Sequence, residues 1–180
     1  MVKEPRNQHS IGGAPLADIR LVTLSGVALV NAAPEPALEV ARRIGAEFPG
    51  GCPCLFVIDC GTMTDGQVAF AMGWYLAENS RGRVSGSLVL LRELQCLSRP
   101  NQQLLTQLIV GRRRGDEAVR VVASSSVDLY QRVCDDEFDA SLYYLINVVN
   151  LTPSVRRRAT SRPPVSQPDS EGDSTGSHKL

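Results

Sequence analysis

The sequence lacks the features that indicate a membrane protein or a general polyanion binder. Its 180 residues carry 19 basic and 19 acidic side chains, so no net charge draws the chain to nucleic acid or to a membrane surface. No apolar run approaches the ~18 residues that a membrane-spanning helix needs. The first residues also lack the apolar segment of a signal peptide. We therefore expect a cytoplasmic protein without membrane contact.

Histidine is scarce, and the cysteines are not spaced as metal ligands. The two histidines, His9 and His178, lie near opposite ends of the chain, so no Ser/His/Asp or Cys/His catalytic set can be assembled. Five cysteines are an odd number in a chain without a secretion signal, which favours reduced thiols. Cys52, Cys54 and Cys60 match no common zinc spacing, so we expect no metal site.

What the sequence does contain is a series of short apolar runs that alternate with helical patterns. The central run follows Gly86 and ends in Arg92 and Glu93, and its lack of alternation is typical of a strand buried on both faces of a parallel sheet. Further strands are predicted over 21–30, with Gly26 as a bulge or a turn, and over 55–58, 118–123 and 148–149. Helices are predicted over 38–48, 64–79, 98–108 and 141–146, with a helical piece around 129–130. This order predicts an α/β fold with a parallel sheet and helices on both faces.

Composition divides the chain into three parts. Residues 1–10 are polar and are predicted to be a flexible N-terminus, and residues 11–153 form the α/β domain. Residues 154–180 are rich in Ser, Pro, Arg, Gly and Asp and have too little apolar content to repay their ordering entropy, so we expect a disordered tail. Its basic start, Arg156 to Arg158 with Arg162, is interpreted as solvated rather than as a weak, nonspecific nucleic-acid contact.

Several segments resemble one family in both content and order. Residues 138–149 are similar to the string F-R-x-D-L-Y-Y-R-L-N-V-V, and residues 153–158 to P-P-L-R-E-R, of the bacterial enhancer-binding proteins, the AAA+ activators of sigma-54 RNA polymerase. Residues 87–97 resemble G-T-L-F-L-D-E-I-G-E-L at the Walker B strand, residues 120–129 resemble R-V-I-A-A-T-N-R-D-L at the sensor strand, and residues 56–60 resemble F-V-A-V-N-C. The resemblance covers roughly residues 11–158. It implies a P-loop NTPase fold of the AAA+ type, without the helical lid because the chain stops where the lid would follow.

The loop at the family's phosphate-binding position is altered at each functional residue. The loop begins at Asn31, and Ala37 stands where the lysine would reach the β- and γ-phosphates. Pro34 and Pro36 replace glycines and remove two N–H donors, while Glu35 adds a negative charge. Each change opposes nucleotide binding.

The other nucleotide positions implied by the resemblance are also substituted. Arg92 stands at the Walker B aspartate, and Glu93, at the position of the base that polarises water, is retained. Ser126 replaces the sensor asparagine, and Asp139 and Leu145 stand where two arginines would be. The resemblance therefore implies a degenerate P-loop and a pseudo-ATPase, with no catalytic residues, no cofactor and no bound metal.

The function implied is that of a non-hydrolysing module of the sigma-54 activator type. We interpret it as a protein that acts in transcriptional regulation by contact with AAA+ relatives or sigma-54 polymerase components and that can form an oligomer, with Phe138 and Tyr143 as candidate subunit contacts. The family's G-A-F-T-G-A loop has no counterpart between Cys60 and Gly86, and no helix-turn-helix follows, so we expect no specific DNA binding. One alternative is a residual nucleotide-binding protein or ATPase with an altered P-loop, acting through Glu93. Another is a scaffold or ligand-binding protein unrelated to transcription.

Overall fold

A five-stranded parallel sheet forms the centre of the structure. The structure is a computed structural model that describes residues 16–48, 54–83, 86–111 and 120–153. The strands are β1 (Val27–Asn31), β2 (Leu55–Asp59), β3 (Leu88–Arg92), β4 (Arg120–Ser125) and β5 (Asn150–Leu151), in the order β2-β3-β4-β1-β5 with every pair parallel.

Helices cover both faces of this sheet, as the sequence predicts. One apolar core contains residues from α1 and α2 with the strand residues of one face, such as Ala28 and Leu90. The other contains residues from the remaining four helices with the alternate strand residues, such as Leu29 and Leu91. The helices are α1 (Leu16–Ser25), α2 (Pro34–Ala46), α3 (Asp65–Ser80), α4 (Arg99–Gly111), α5 (Leu129–Cys134) and α6 (Ala140–Ile146), with a 3₁₀ turn over Leu94–Cys96.

The predicted strand over residues 21–30 is wrong in its first half. Residues up to Ser25 are the second half of α1, and only Val27–Asn31 is a strand. Gly26 separates the two elements with φ of 70°, and its N–H donates to Val22 O at 2.9 Å. A left-handed residue that closes a helix in this way is most often glycine, because glycine lacks the Cβ that disfavours positive φ.

Other boundaries are displaced by a few residues. The helix predicted from residue 38 begins at Pro34, since prolines are compatible with the first helical turn, where N–H groups lack partners. The last strand is at Asn150–Leu151 instead of 148–149. The predicted start of α3 is confirmed: the N–H of Thr64 donates to Gln67 Oε1 at 2.9 Å, and the N–H of Gln67 donates to Thr64 Oγ1 at 3.4 Å, which is a capping box. The predicted flexible N-terminus and disordered tail lie outside the described residues.

Candidate functional site

Polar residues at the ends of four strands meet at the carboxyl edge of the sheet. Asn31 and Ser125 end neighbouring strands, β1 and β4, and Asp59 and Arg92 end the neighbouring strands β2 and β3. Asp59 and Arg92 are also register partners. Ligands of open α/β sheets bind outside the carboxyl ends of the strands, so this edge is the candidate site.

Arg92 forms two ion pairs at this edge. Its guanidinium lies 3.6 Å from an Asp59 carboxylate oxygen and 3.6 Å from a Glu35 carboxylate oxygen. The Arg92 and Asp59 side chains are 18% and 23% exposed, whereas that of Glu35 is 86% exposed. Pairing in a partly buried position is screened less than pairing in water, so the Asp59 contact contributes more than the Glu35 contact. The Arg92 guanidinium is thus neutralised by carboxylates of its own chain.

Glu93 is held in a fixed position by its neighbours. Its backbone is left-handed, with φ of 57° and ψ of 53°. Its Oε2 accepts from Ser126 Oγ at 2.7 Å and also from Gln95 Nε2, and Gln95 Oε1 accepts from Ser125 Oγ at 2.8 Å. Its Oε1 is buried and has no hydrogen-bond partner among the described residues. The carboxylate therefore connects β3 to β4 while keeping one oxygen available for a donor.

The amino end of α2 offers little to a phosphate group. A helix normally presents several free N–H groups in its first turn, and these bind anions. Pro34 and Pro36 have no N–H, and the N–H of Ala37 already donates to Ala33 O at 3.1 Å. Within the first four residues of α2, only Glu35 retains a free N–H, and its own carboxylate carries a negative charge.

Cys60 lies directly behind this edge. It is 5% exposed, and its N–H donates to Arg92 O at 3.0 Å. Burial first, and then the neighbouring Asp59 carboxylate, raise the pKa of the Cys60 thiol from its ordinary value of 9.0 to about 12. The thiol is therefore protonated and unreactive at neutral pH.

A polar cavity of about 550 Å³ opens beside the edge, at the ends of β1, β4 and β5. A chain of side-chain hydrogen bonds crosses it, from Asn31 to Asn150 (2.8 Å), from Asn150 to Asn147 (2.8 Å) and from Asn147 to the Tyr143 hydroxyl (3.0 Å). Burial and then the Asp128 carboxylate raise the pKa of Tyr143. The Tyr143 hydroxyl oxygen accepts from Asn147 Nδ2, and the hydroxyl remains protonated at neutral pH.

The two candidate subunit contacts have different environments. Phe138 is 2% exposed and belongs to the core, so its side chain is not accessible to another subunit, and the prediction for Phe138 is corrected. Tyr143 is half-buried and lines the polar cavity, with its ring 5.8 Å from that of Tyr130 and 5.4 Å from that of Tyr144. Tyr130 and Tyr144, which are 51% and 66% exposed, were not predicted as subunit contacts.

A second cavity, about 430 Å³ and almost wholly apolar, lies between β2 and α3. Phe70 and Trp74 line it and are 75% and 44% exposed. It contains no titratable side chain except that of Tyr75, so it offers no chemistry of its own. In the part of the chain that the structure describes, no three His, Cys, Asp or Glu side chains are grouped as metal ligands. None of the described helices combines the length and apolar character needed to cross a bilayer.

Comparison with known proteins identifies the fold and a family match. Residues 70–153 match the family model of the sigma-54 interaction domain. No curated protein matches the sequence.

Solved structures similar to this chain include NtrX from Brucella abortus in complex with ADP, at 16% identity and a TM-score of 0.61, covering 76% of this chain and 34% of that one. The P-loop NTPase domain of a sigma-54 transport activator from E. coli has 14% identity and a TM-score of 0.54, covering 76% and 89%. The Thermotoga maritima RuvB branch migration motor has 12% identity and a TM-score of 0.51, covering 77% and 45%. The chain spans between 34% and 38% of the length of the NtrX structures. At these identities the similarity establishes the fold, which is the predicted P-loop NTPase fold of the AAA+ type.

Proposed function

We propose that the chain is a non-hydrolysing module of the sigma-54 activator type, because residues 70–153 match the family model of the sigma-54 interaction domain and the fold is that of a sigma-54 activator's P-loop NTPase domain. In this proposal it acts in the cytoplasm, in transcriptional regulation, by contact with AAA+ relatives or with sigma-54 polymerase components. It binds no specific DNA sequence and needs no nucleotide for its contacts.

The observation that carries the proposal is the double ion pair of Arg92. In AAA+ enzymes this position supplies a carboxylate that supports Mg²⁺, but here a guanidinium lies between Asp59 and Glu35. At the position where a phosphate would bind, the first turn of α2 offers one free N–H, because its two prolines have none. The carboxylate of Glu35 adds a negative charge at the same place. A nucleoside triphosphate would have to break the ion pair between Glu35 and Arg92. Its phosphates would then approach carboxylates without a metal ion to neutralise their charge.

Calorimetric titration of the full chain with Mg-ATP and Mg-ADP tests the nucleotide part of the proposal. We expect no saturable heat up to millimolar nucleotide, corresponding to a binding free energy weaker than about −4 kcal/mol. A nucleotide-binding sigma-54 activator domain, titrated in the same buffer, is the positive control. Saturable binding in the micromolar range would contradict the proposal.

Binding to purified proteins tests the contact part. We expect the immobilised full chain to bind sigma-54, its polymerase holoenzyme or a hydrolysing sigma-54 activator, without added nucleotide. Tyr144→Glu replaces the exposed ring beside Tyr143 with a carboxylate. It should weaken that binding at least tenfold if α6 forms the contact. Leu24→Glu, at a residue of α1 that is 84% exposed and on the opposite face of the sheet, is the matched control. Absence of binding to all three proteins would overturn the contact mechanism.

The alternative, a nucleotide-binding protein or ATPase with an altered P-loop, has one observation in its favour. Glu93 keeps its place at the end of β3, and its buried Oε1 has no hydrogen-bond partner among the described residues, so a water molecule could bind there. Under this alternative, Mg-ATP binds and Glu93→Gln abolishes hydrolysis while leaving the nucleotide affinity unchanged. The same calorimetric titration therefore separates the two functions.

A further inference from the structure

The described sheet has an open edge at β2, whose single neighbour is β3. Just before β2, Cys54 O accepts from the N–H of Leu88 at 3.0 Å, and just after it the N–H of Cys60 donates to Arg92 O at 3.0 Å. Backbone groups alternate in direction along a strand, so the even-numbered residues of β2 face β3 and Val57 faces outward. The N–H and C=O of Val57 have no hydrogen-bond partner among the described residues.

The helix beside this edge is uncharged on its exposed side. α3 contains no charged side chain between Asp65 and Glu78. Phe70 and Trp74, one turn apart, are 75% and 44% exposed, and with Val57, which is 43% exposed, they line the apolar cavity between α3 and β2. A surface helix normally carries charged residues on the side away from the core, and a continuous apolar surface marks a contact with another molecule.

A second copy of the chain can cover the open edge and the apolar side of α3 together. A twofold axis perpendicular to the sheet and beside Val57 places β2 antiparallel to β2 of the second copy, with the two α3 helices side by side on the same face. Val57 then exchanges two N–H···O bonds with its symmetry mate. A twofold axis also brings like charges together, and the uncharged run over residues 66–77 avoids that repulsion.

We propose that the chain forms a twofold dimer through β2 and α3, in which the two sheets are joined into one. The surface formed by Val57, Phe70 and Trp74 is then covered by the same surface of the second copy. The proposal does not depend on the proposed function, because it requires only the unpaired backbone of β2 and the apolar side of α3.

The size of this surface sets the expected affinity. An aromatic side chain presents about 150 to 250 Å², so the exposed parts of Phe70 and Trp74 contribute roughly 200 to 300 Å² per copy. This is about a third of the ~800 Å² that each partner buries in a standard interface, and the β2 edge adds to it. The interface is therefore at the small end of specific interfaces, and we expect a dissociation constant in the micromolar range.

Sedimentation velocity of the full chain over about 1 to 500 µM tests the dimer. We expect a monomer–dimer equilibrium, which Phe70→Glu should weaken at least about tenfold because each dimer would then bury two carboxylates. Leu24→Glu, at a residue of α1 that is 84% exposed, is the matched control and should keep the dissociation constant of the natural sequence. A monomer throughout this range would overturn the proposal and assign the surface to a different protein. A trimer or a larger ring would overturn the twofold arrangement.

A disulfide across the twofold axis tests the strand pairing separately. Opposite residues of a hydrogen-bonded antiparallel pair have Cα atoms about 5.5 Å apart, within the range that a disulfide spans. Val57→Cys should therefore give a covalent dimer on mild oxidation, seen by non-reducing electrophoresis, whereas Leu24→Cys should stay largely monomeric. Both variants are made in a chain that keeps the buried Cys60 and replaces the other cysteines, C52S/C54S/C96S/C134S. A dimer that persists in solution while Val57→Cys forms no disulfide would overturn the pairing of the two β2 strands.

Discussion

Arg92 places a positive charge at the end of β3, and the side chains around it compensate for that charge. Asp59 lies across from it in register, and Glu35 approaches from the first turn of α2. The carboxylates thereby serve as partners of a protein cation. This is a property of a few residues, and it can change without altering the sheet that carries them.

At Cys60, burial makes the free energy of unfolding depend on pH in the alkaline range. The pKa of this thiol is about 12 in the folded chain and near its ordinary 9.0 when unfolded, so the unfolded chain loses the proton first as pH rises. The stabilising contribution is complete below pH 9 and is lost between pH 9 and about 12. In Cys60→Ala the free energy of unfolding should fall less steeply with pH across this range, with a slope smaller by up to about 1.4 kcal/mol per pH unit. Urea denaturation at a series of pH values measures this slope.

Cys134→Ala, at an exposed thiol, is the control for the alkaline measurement and should keep the slope of the natural sequence. Equal slopes for Cys60→Ala and the natural sequence would show that the Cys60 thiol ionises at the same pH in both states.

Because the backbone of Glu93 is left-handed, we expect glycine to give a more stable protein than alanine at this position, which is the reverse of the usual order within a helix. An L-residue at φ of 57° is disfavoured by about 1 to 2 kcal/mol relative to glycine. Because Glu93→Gly and Glu93→Ala both remove the carboxylate, their difference reports the backbone alone. We expect Glu93→Gly to be more stable than Glu93→Ala by about 1 kcal/mol in urea denaturation.

An exposed position inside a helix should give the opposite order. Gln103, in α4, is exposed, and there the alanine variant should be more stable than the glycine variant by about 1 kcal/mol. If alanine were favoured at both positions, the left-handed assignment of Glu93 would be refuted.

Among the elements, the junction of α1 and β1 is where sequence patterns were least informative. Leu21, Val22 and Leu24 continue an apolar run into β1, and such a run is typical of a strand. Within α1, Val22 is fully buried, while Leu21 and Leu24 are 53% and 84% exposed. Exposed leucines hide the helical period, so the boundary can be found only from the backbone at Gly26.

Two glycines should respond in opposite directions to the same substitution. Gly26→Ala should destabilise the protein by about 1 kcal/mol, because φ is 70° and no atom lies within 4 Å of the new Cβ to add a packing effect. Gly73→Ala, in the interior of α3 and equally free of neighbours, should stabilise it by about 0.5 to 1 kcal/mol. Thermal and urea denaturation measure both changes. Destabilisation by both variants would indicate a packing effect that the structure does not contain.

At the scale of the whole molecule, the sheet depends on both of its helical layers. Leu90 and Leu91 are adjacent on β3, point to opposite faces and are both fully buried. Leu90→Ala and Leu91→Ala should each reduce the free energy of unfolding by about 2 to 5 kcal/mol. Leu24→Ala, at an exposed leucine, is the control and should change it by less than about 0.5 kcal/mol. A small effect at Leu90 alone would mean that the layer formed by α1 and α2 is not needed for stability.

The fold was predictable from the sequence because its strands are short apolar runs separated by helical patterns, and such patterns are local. The ends of β3 and β4 were located well enough to place Arg92, Glu93 and Ser126 at one edge. What could not be predicted were the contacts between distant segments. The pairing of Arg92 with Asp59 requires the register of β2 on β3, and the cavity requires β5 to lie beside β1. Burial of Phe138 likewise depends on how α6 packs.

The ion pairs of Arg92 also restrict the evolutionary paths open to this edge. Arg92→Asp alone would place three carboxylates together without a cation, since Asp59 and Glu35 would lose their partner. This substitution would therefore destabilise the protein unless a second change supplied a new cation. The same ion pairs that neutralise the edge thus make residues 35, 59 and 92 depend on one another, so that each is free to vary only together with the others.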